Sequence, residues 1–228
     1  EFLRDIYVLC GDKVLKSAEY KKFYAESKEW LLPYMAYCTL RDQYSTTDFH
    51  LWGKFSTYDE VKIERFAKKN FAEVGYYGFV QYLLDKQLRA TRDALHNCGV
   101  ALKGDIPIGV SRTSVDVWQN PELFVTTSSA GAPPDDFSAE GQNWGFPIYN
   151  WEEMAKDGYA WWKERIAFMC ELFDGVRIDH FRAFEAYFSI PAEEKTARNG
   201  KWVKGVQIHA LSNAWYSKIY LGSRRIVG

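Results

Sequence analysis

The chain has 228 residues, with 29 Lys or Arg and 30 Asp or Glu, which gives a formal net charge of −1. This even balance argues against nucleic acid or an anionic membrane surface as the main partner. Apolar residues make up 47% of the chain. They form no unbroken run of about 20, so we expect no segment that spans a bilayer. The chain starts without Met or a signal-peptide pattern, so we expect it to be an excerpt of a longer protein.

The cysteines Cys10, Cys38, Cys98 and Cys170 lie far apart and form no CxxC pair. We therefore expect no zinc site, no other metal and no redox motif. Buried free thiols in a reducing, cytoplasmic compartment are the simplest interpretation. Aromatic residues reach 17%, including nine Trp. This surplus fits either an aromatic core or flat surfaces that stack on sugar rings.

The first half of the chain has helical spacing of apolar residues, and the predicted helices cover residues 17–42, 57–70 and 76–98. Pro33 interrupts the first of them, so we expect a kink or two separate helices. The polar stretch 44–59 is interpreted as a loop. Gly99 is placed to end the third helix as a C-terminal cap.

Residues 100–110 are β-branched and punctuated by glycine, which predicts a strand that ends near Val110 and is bent or irregular at Pro107. Residues 111–150 show no sustained period, and a structureless connection of this length is typical of a binding loop or lid. Asn150 then begins a helix, with Glu153 completing a pattern like a capping box.

That helix leads into a short predicted strand over residues 174–181, in which Val176 and Ile178 alternate with Arg177 and Asp179. The order of helices and strands predicts a parallel sheet and the α/β class. Asp179 and His180 arrive together at the carboxyl end of the strand, where α/β barrels place their chemistry. The alternative is an Arg177–Asp179 ion pair that only orders the strand.

Three blocks of sequence together resemble one family, the 4-α-glucanotransferases or amylomaltases of glycoside hydrolase family 77. The first block is GDIPIGV at residues 104–110, followed by SVDVW at 114–118 and PELF at 121–124. The second is GAPPDDFS at 131–138 with GQNWG at 141–145, and the third is VRIDHF at 176–181. Residues 142–147 are similar to the branch shared by plant cytosolic and some bacterial enzymes. Residues 188–202 are more similar to ordinary bacterial amylomaltases.

The resemblance implies an incomplete (β/α)8 barrel with a long irregular lid loop. It implies a retaining mechanism on α-1,4-glucans and maltooligosaccharides, with no cofactor. Asp179 would be the nucleophile, and Arg177 would hold its carboxylate ionised and oriented. Asp116 would bind sugar hydroxyls, although by itself its position favours a helix or turn cap over a ligand.

The resemblance also places Gln142 and Trp144 on the lid, where they would bind the glucan chain and shield the intermediate from water. Phe137 is a further aromatic candidate, since Asp136 stands where the family usually has an aromatic residue. Trp144 could instead be a core residue. His180 could point either into the cleft or behind the strand.

The family pattern ends after Lys204. We therefore expect residues 1–205 to be part of the catalytic barrel with an N-terminal helical portion, and residues 206–228 to be a divergent tail. No match to the family's general acid occurs in the chain, so we expect little activity from these 228 residues alone. The alternatives are a related α-glucan hydrolase and a non-catalytic carbohydrate-binding fragment. The sequence does not indicate an oligomeric state.

Overall fold

A computed structural model describes residues 2–206 and, as backbone only, residues 225–227. The chain forms two compact units. The helical unit contains Glu1–Thr91 and Thr113–Gln119, and the sheet unit contains Arg92–Arg112 and Asn120–Gly228. The expected tail at residues 206–228 lies almost entirely outside the described residues, apart from Val206 and the backbone of 225–227.

The helices are α1 (Phe2–Leu15), α2 (Ala18–Tyr44), α3 (Glu60–Lys69), α4 (Phe71–Asn97), α5 (Val115–Gln119), α6 (Trp151–Lys156) and α7 (Ala160–Leu172). Ser17 caps α2 by accepting a hydrogen bond from the Tyr20 amide. α2 runs on through Pro33, so the alternative of two helices is wrong. α1 was not predicted from the sequence.

The core of the helical unit is rich in aromatic side chains. Trp52 and Trp118 are almost fully buried, with ring centroids 5.5 Å apart. Their indole N–H groups donate to the backbone oxygens of Thr46 and Phe55. The stretch interpreted as a loop therefore contains two short 3-10 turns and a buried tryptophan. This part of the aromatic surplus is packing and not surface.

The strands are β1 (Lys103–Ile106), β2 (Phe124–Ala132), β3 (Gln142–Tyr149), β4 (Gly175–Ile178), β5 (Ala186–Pro191), β6 (Lys201–Lys204) and β7 (Arg225–Val227). β1, β4 and β7 form a parallel sheet in that order, which confirms the α/β class and the parallel pairing. β1 ends at Ile106 and not near Val110, because Pro107 has no N–H with which to continue the ladder.

The prediction of a structureless connection over residues 111–150 is wrong. This segment contains α5, a 3-10 turn and the antiparallel strands β2 and β3. Together with β5 and β6 these strands form a second sheet in the order β3-β2-β5-β6. The strands escaped prediction because glycines, prolines and register shifts remove the period of two. Residues 111–114 before α5 and residues 133–141 between β2 and β3 remain irregular.

The single helix predicted from Asn150 onward is two helices, α6 and α7. Gly158 and Tyr159 separate them, both with positive φ of 70° and 65°. Asn150 caps α6 as predicted, since its side-chain oxygen accepts the Glu153 amide at 3.3 Å. The Glu153 carboxylate pairs with Lys156. α7 packs on β4 and leads directly into it.

The thiols differ from the expectation of uniformly buried cysteines. All four are free, but only Cys38 is buried, while Cys10 and Cys170 are half-buried and Cys98 is exposed. Among the described helices none combines the length and the apolar character that a membrane span needs.

Candidate active site

An open cleft of about 870 Å³ lies in the sheet unit at the carboxyl ends of β1 and β4. One wall is the loop that follows β1, residues 107–112. The opposite wall comes from residues 144–146 of β3, and Asp179 and His180 complete the lining. The cleft therefore joins the end of the parallel sheet to one strand of the antiparallel sheet.

Asp179 is fixed at the end of β4 by its own backbone, because its amide donates to the Ile106 oxygen at 2.9 Å. Its side chain is exposed. Arg177 stands two residues earlier on the same side of the strand and donates from Nη2 to Asp179 Oδ1 at 2.6 Å. The predicted pairing of these two side chains is present, and the pair borders open solvent and is not packed into a wall.

Arg177 also holds a second carboxylate, which the sequence reasoning missed. Its Nη1 lies 3.2 Å from Asp105 Oδ2, so the guanidinium bridges Asp105 and Asp179. Asp105 faces Arg177 in the register of β1 and β4. The signal was present in the sequence, since Asp105 lies in the GDIPIGV block. Only the strand pairing shows that it meets Arg177.

His180 lies on the cleft and not behind the strand. Its backbone has φ of 50°, a left-handed conformation that turns the chain sharply after β4. The imidazole meets the Trp144 ring edge to face, with centroids 4.9 Å apart and planes at 83°. Burial lowers the pKa of His180 below its usual value, with Asp179 opposing and Arg182 reinforcing the shift. The ring is therefore neutral at pH 7.

Trp144 forms the aromatic wall with Phe146, the two rings stacked with centroids 5.6 Å apart. Its indole N–H donates to Gln142 Oε1 at 2.9 Å, which brings two of the predicted residues together. Trp144 is half-buried and lines the cleft, so it is not a core residue. A side chain at Gly109 would meet the Phe146 ring at 2.3 Å, so only glycine lets this ring lie against the opposite wall.

Phe137 lies at the tip of the irregular segment between β2 and β3 and is 99% exposed. Asp135 holds this tip by accepting the amides of Phe137 and Ser138. The base of the segment is bonded to the β5–β6 connection. The Glu140 carboxylate pairs with Arg198, and the Glu140 backbone oxygen accepts a hydrogen bond from the Ala197 amide. The exposed Phe137 ring thus lies on a loop that hydrogen bonds and an ion pair hold in place.

Asp116 belongs to the helical unit, unlike the other candidates. It lies half-buried in the first turn of α5, which packs on α2. Within the described part of the chain, no group of three or more His, Cys, Asp or Glu side chains is arranged to hold a metal ion.

The geometry suits attack on an electrophilic carbon. A solvent-accessible carboxylate is held by a cation at the floor of the cleft, beside an aromatic wall and a neutral imidazole. Among the described residues that line the cleft, Asp179 is the one carboxylate. A charged nucleophile next to flat apolar rings is the combination expected where a sugar is bound and its glycosidic bond is cleaved at the anomeric carbon.

Comparison with known proteins agrees with this chemistry. A family model described as 4-alpha-glucanotransferase, glycoside hydrolase family 77, matches residues 1–228. The rice 4-alpha-glucanotransferase DPE2 is 43% identical over 202 residues, which cover 87% of this chain and 21% of that protein. The Clostridium butyricum 4-alpha-glucanotransferase is 36% identical over 214 residues, covering 90% of this chain and 44% of that protein.

Among solved structures, an amylomaltase from Streptococcus agalactiae in complex with acarbose is similar with a TM-score of 0.86 at 28% identity. The match covers 98% of this chain and 47% of that one. This chain thus spans less than half of the length of each of these relatives.

Proposed function

This chain belongs to the 4-alpha-glucanotransferase family, and on that premise we propose that its protein moves α-1,4-glucan segments between maltooligosaccharides by a retaining double displacement. The observation that carries the proposal is the Asp179 carboxylate. It accepts a hydrogen bond from Arg177 and lines an open cleft with an aromatic wall. The fold supports it further, since the parallel strands β1, β4 and β7 fit a (β/α)8 barrel that the rest of the protein completes.

In the first step an Asp179 oxygen attacks the anomeric carbon of the donor. The bond to the leaving sugar oxygen breaks, and that oxygen takes a proton from a general acid. The product is a glucosyl ester of Asp179. In the second step the hydroxyl of an acceptor sugar gives its proton to the same group, now a base, and displaces Asp179. Two inversions restore the α configuration.

The general acid is proposed to come from outside these 228 residues. A retaining pair of carboxyls stands about 5 Å apart across the sugar. Asp179 is the one carboxylate on the cleft lining in the described part of the chain, and Asp105 is engaged by Arg177. We therefore propose that this chain alone does not turn over glucan.

The side chains on and beside the aromatic wall would make the enzyme favour transfer over hydrolysis. Trp144, Gln142 and Phe137 would bind the glucan and exclude water from the ester, because displacing water from a reactive intermediate suppresses its hydrolysis. His180, neutral at pH 7, can both donate and accept a hydrogen bond at a sugar hydroxyl. Asp116 remains a candidate sugar ligand contributed by α5.

The test uses the full-length protein with maltotriose. We expect glucose together with longer maltooligosaccharides, and we expect Asp179→Asn to lower this activity by on the order of 10⁴-fold or more, because the covalent step is lost. Asp12→Asn is the matched control, since Asp12 lies on exposed α1 and pairs only with Lys16 among its described contacts. A slow fluorinated glucosyl donor should add its glucosyl mass to the peptide that contains Asp179.

Each alternative gives a different result. Glucose and maltose without longer products would identify an α-glucan hydrolase. Glucan binding that survives Asp179→Asn, with no turnover before or after, would identify a carbohydrate-binding protein. Robust disproportionation by the isolated 228 residues would contradict the assignment of the general acid to another part of the protein.

A further inference from the structure

The antiparallel sheet loses its register at two places that border the cleft. Between Val125 and Ser129 strand β2 advances four residues while β3 advances one, from Ile148 to Pro147. Between Ser129 and Gly131 the imbalance reverses, because β3 runs from Pro147 to Asn143 against two residues of β2. The first bulge is residues 126–128 of β2, and the second is residues 144–146 of β3.

The second bulge carries the aromatic wall. Trp144 and Phe146 both lie in it and both line the cleft. A strand in regular register sends alternate side chains to opposite faces. The extra residues of the bulge therefore decide which face receives these rings, and the position of the wall depends on what holds the two bulges in place.

Residues 126–128, the first bulge, have no partners in the register of β3. Pro147 faces Ser129 from β3, and Pro191 faces Ser128 from β5. Because no residue of β3 stands opposite the bulge, the β2 carbonyls that turn away from β5 at this point need hydrogen-bond donors from elsewhere. The Ala192 amide donates a hydrogen bond to the Thr127 oxygen. The backbone oxygens of Thr126 and Ser128 remain to be satisfied.

Arg112 supplies the missing donors. Its Nη1 donates to the Thr126 oxygen, and its Nη2 donates to the Ser128 oxygen at 2.9 Å and to Ser129 Oγ at 2.8 Å. Ser129 is only 3% exposed, so this end of the contact is dry. A planar guanidinium presents several donors in a fixed fork, which an ammonium does not.

Arg112 is also part of the cleft, at the end of the loop that follows β1. Its contacts therefore join one wall of the cleft to the strand that supports the other wall. Burial lowers the pKa of the Arg112 guanidinium, and the described residues offer it carbonyl and hydroxyl oxygens and no carboxylate partner.

We propose that Arg112 is a positioning residue that holds the bulged hairpin in register, so that Trp144 and Phe146 face the cleft and the glucosyl intermediate is passed to a sugar and not to water. The inference rests on the proposed function. It assigns the partition between transfer and hydrolysis to a residue that acts by holding the hairpin in place.

The test compares Arg112→Lys and Arg112→Gln with the wild-type full-length protein on maltotriose. Transfer exchanges one glycosidic bond for another and conserves reducing ends, whereas hydrolysis consumes a water and adds one reducing end per event. We expect the ratio of hydrolysis to transfer to rise about tenfold in both variants, the scale of one lost buried hydrogen bond.

Arg165→Lys is the matched control. Arg165, like Arg112, is a half-buried arginine that donates to a backbone oxygen, that of Pro107 in the β1 loop, but it touches neither bulge among its described contacts. It should leave the ratio of hydrolysis to transfer unchanged. An unchanged ratio in folded Arg112 variants, or an equal rise in Arg165→Lys, overturns the proposal.

Ser129→Ala keeps the test decisive if the Arg112 variants do not fold. It removes one acceptor of Arg112, and we expect a rise in the ratio of about twofold; no rise would contradict the proposal. Hydrogen exchange of the β2 and β3 amides gives a readout that does not need activity. It should accelerate in Arg112→Lys and not in Arg165→Lys. If the wild type transfers no glucan, the proposed function fails, and hydrogen exchange still decides whether Arg112 holds the hairpin.

Discussion

The two sheets that meet at the cleft differ in how strictly they keep register. The parallel pair β1 and β4 runs from Lys103 opposite Gly175 to Ile106 opposite Ile178 without a shift. The antiparallel pair β2 and β3 shifts twice within nine residues of β2. The regular sheet carries the charged groups and the irregular sheet carries the aromatic ones.

This division has a physical reason. Charge pairing depends steeply on distance and orientation, so Asp105, Arg177 and Asp179 gain from strands whose spacing is fixed by a regular ladder. Binding a flat sugar ring requires large apolar faces to leave the alternating pattern of a strand, and bulges re-aim side chains in this way. The two halves of the site, the regular pair β1 and β4 and the irregular pair β2 and β3, can therefore be perturbed separately.

The largest effect should come from the regular half. Arg177→Lys keeps the charge but offers no fork, so one ammonium cannot bridge Asp105 and Asp179 as two guanidinium nitrogens do. We expect kcat for maltotriose disproportionation to fall on the order of a hundredfold with KM little changed. Arg89→Lys is the control, because Arg89 pairs with Asp85 on α4. A change in KM with kcat unaltered would contradict the bridging role.

Asp105→Asn should have a smaller effect on the same half. The amide can still accept a hydrogen bond from Arg177, but the second negative charge is lost, so Arg177 is oriented less strongly toward Asp179. We expect kcat to drop about tenfold, measured by product formation from maltotriose. Asp93→Asn, whose partner Arg92 lies next to it in sequence, should leave kcat unchanged. Equal rates for both variants would show that Asp105 only stabilises the sheet.

Trp144→Ala tests the irregular half. Removing the indole deletes the stack with Phe146 and the hydrogen bond to Gln142. We expect KM for maltooligosaccharides to rise about fivefold and hydrolysis to gain on transfer, since one aromatic contact contributes this order of binding free energy. Trp202→Ala, an exposed residue of β6 that packs on Phe188, is the matched control. The same rise in KM for Trp144→Ala and Trp202→Ala would contradict a specific role of the cleft wall in glucan binding.

The smallest effect is a titration shift at the junction of the two halves. Burial lowers the pKa of His180, so in the folded protein its imidazole protonates below its ordinary value of 6.5. Since the unfolded chain then binds more protons in the window below 6.5, this group makes stability fall as the pH drops through that window. NMR titration should show the low midpoint, and Trp144→Ala should raise it by exposing the ring. A midpoint at or above 6.5 would contradict burial as the dominant cause.

Local patterns in the sequence determined much of the fold. The helical period predicted α2, α3 and α4, the polar residues Ser17 and Asn150 cap helices, and alternation predicted β4. These features depend on neighbours within a turn or two of the chain, so the local residues suffice to specify them. The motifs likewise placed Arg177, Asp179, His180 and Trp144 as site candidates. The structure brings Asp179, His180 and Trp144 to one cleft and pairs Arg177 with Asp179.

Only the tertiary structure decided the cross-strand relations. The pairing of Asp105 with Arg177, the two bulges of the hairpin and the contact of Arg112 with β2 each join residues far apart in sequence. Register between strands is set by long-range packing and by which backbone donors prolines remove, and neither leaves a local period. The sequence by itself therefore indicated the chemistry of the nucleophile, while the fold determined which groups hold it and its aromatic wall in place.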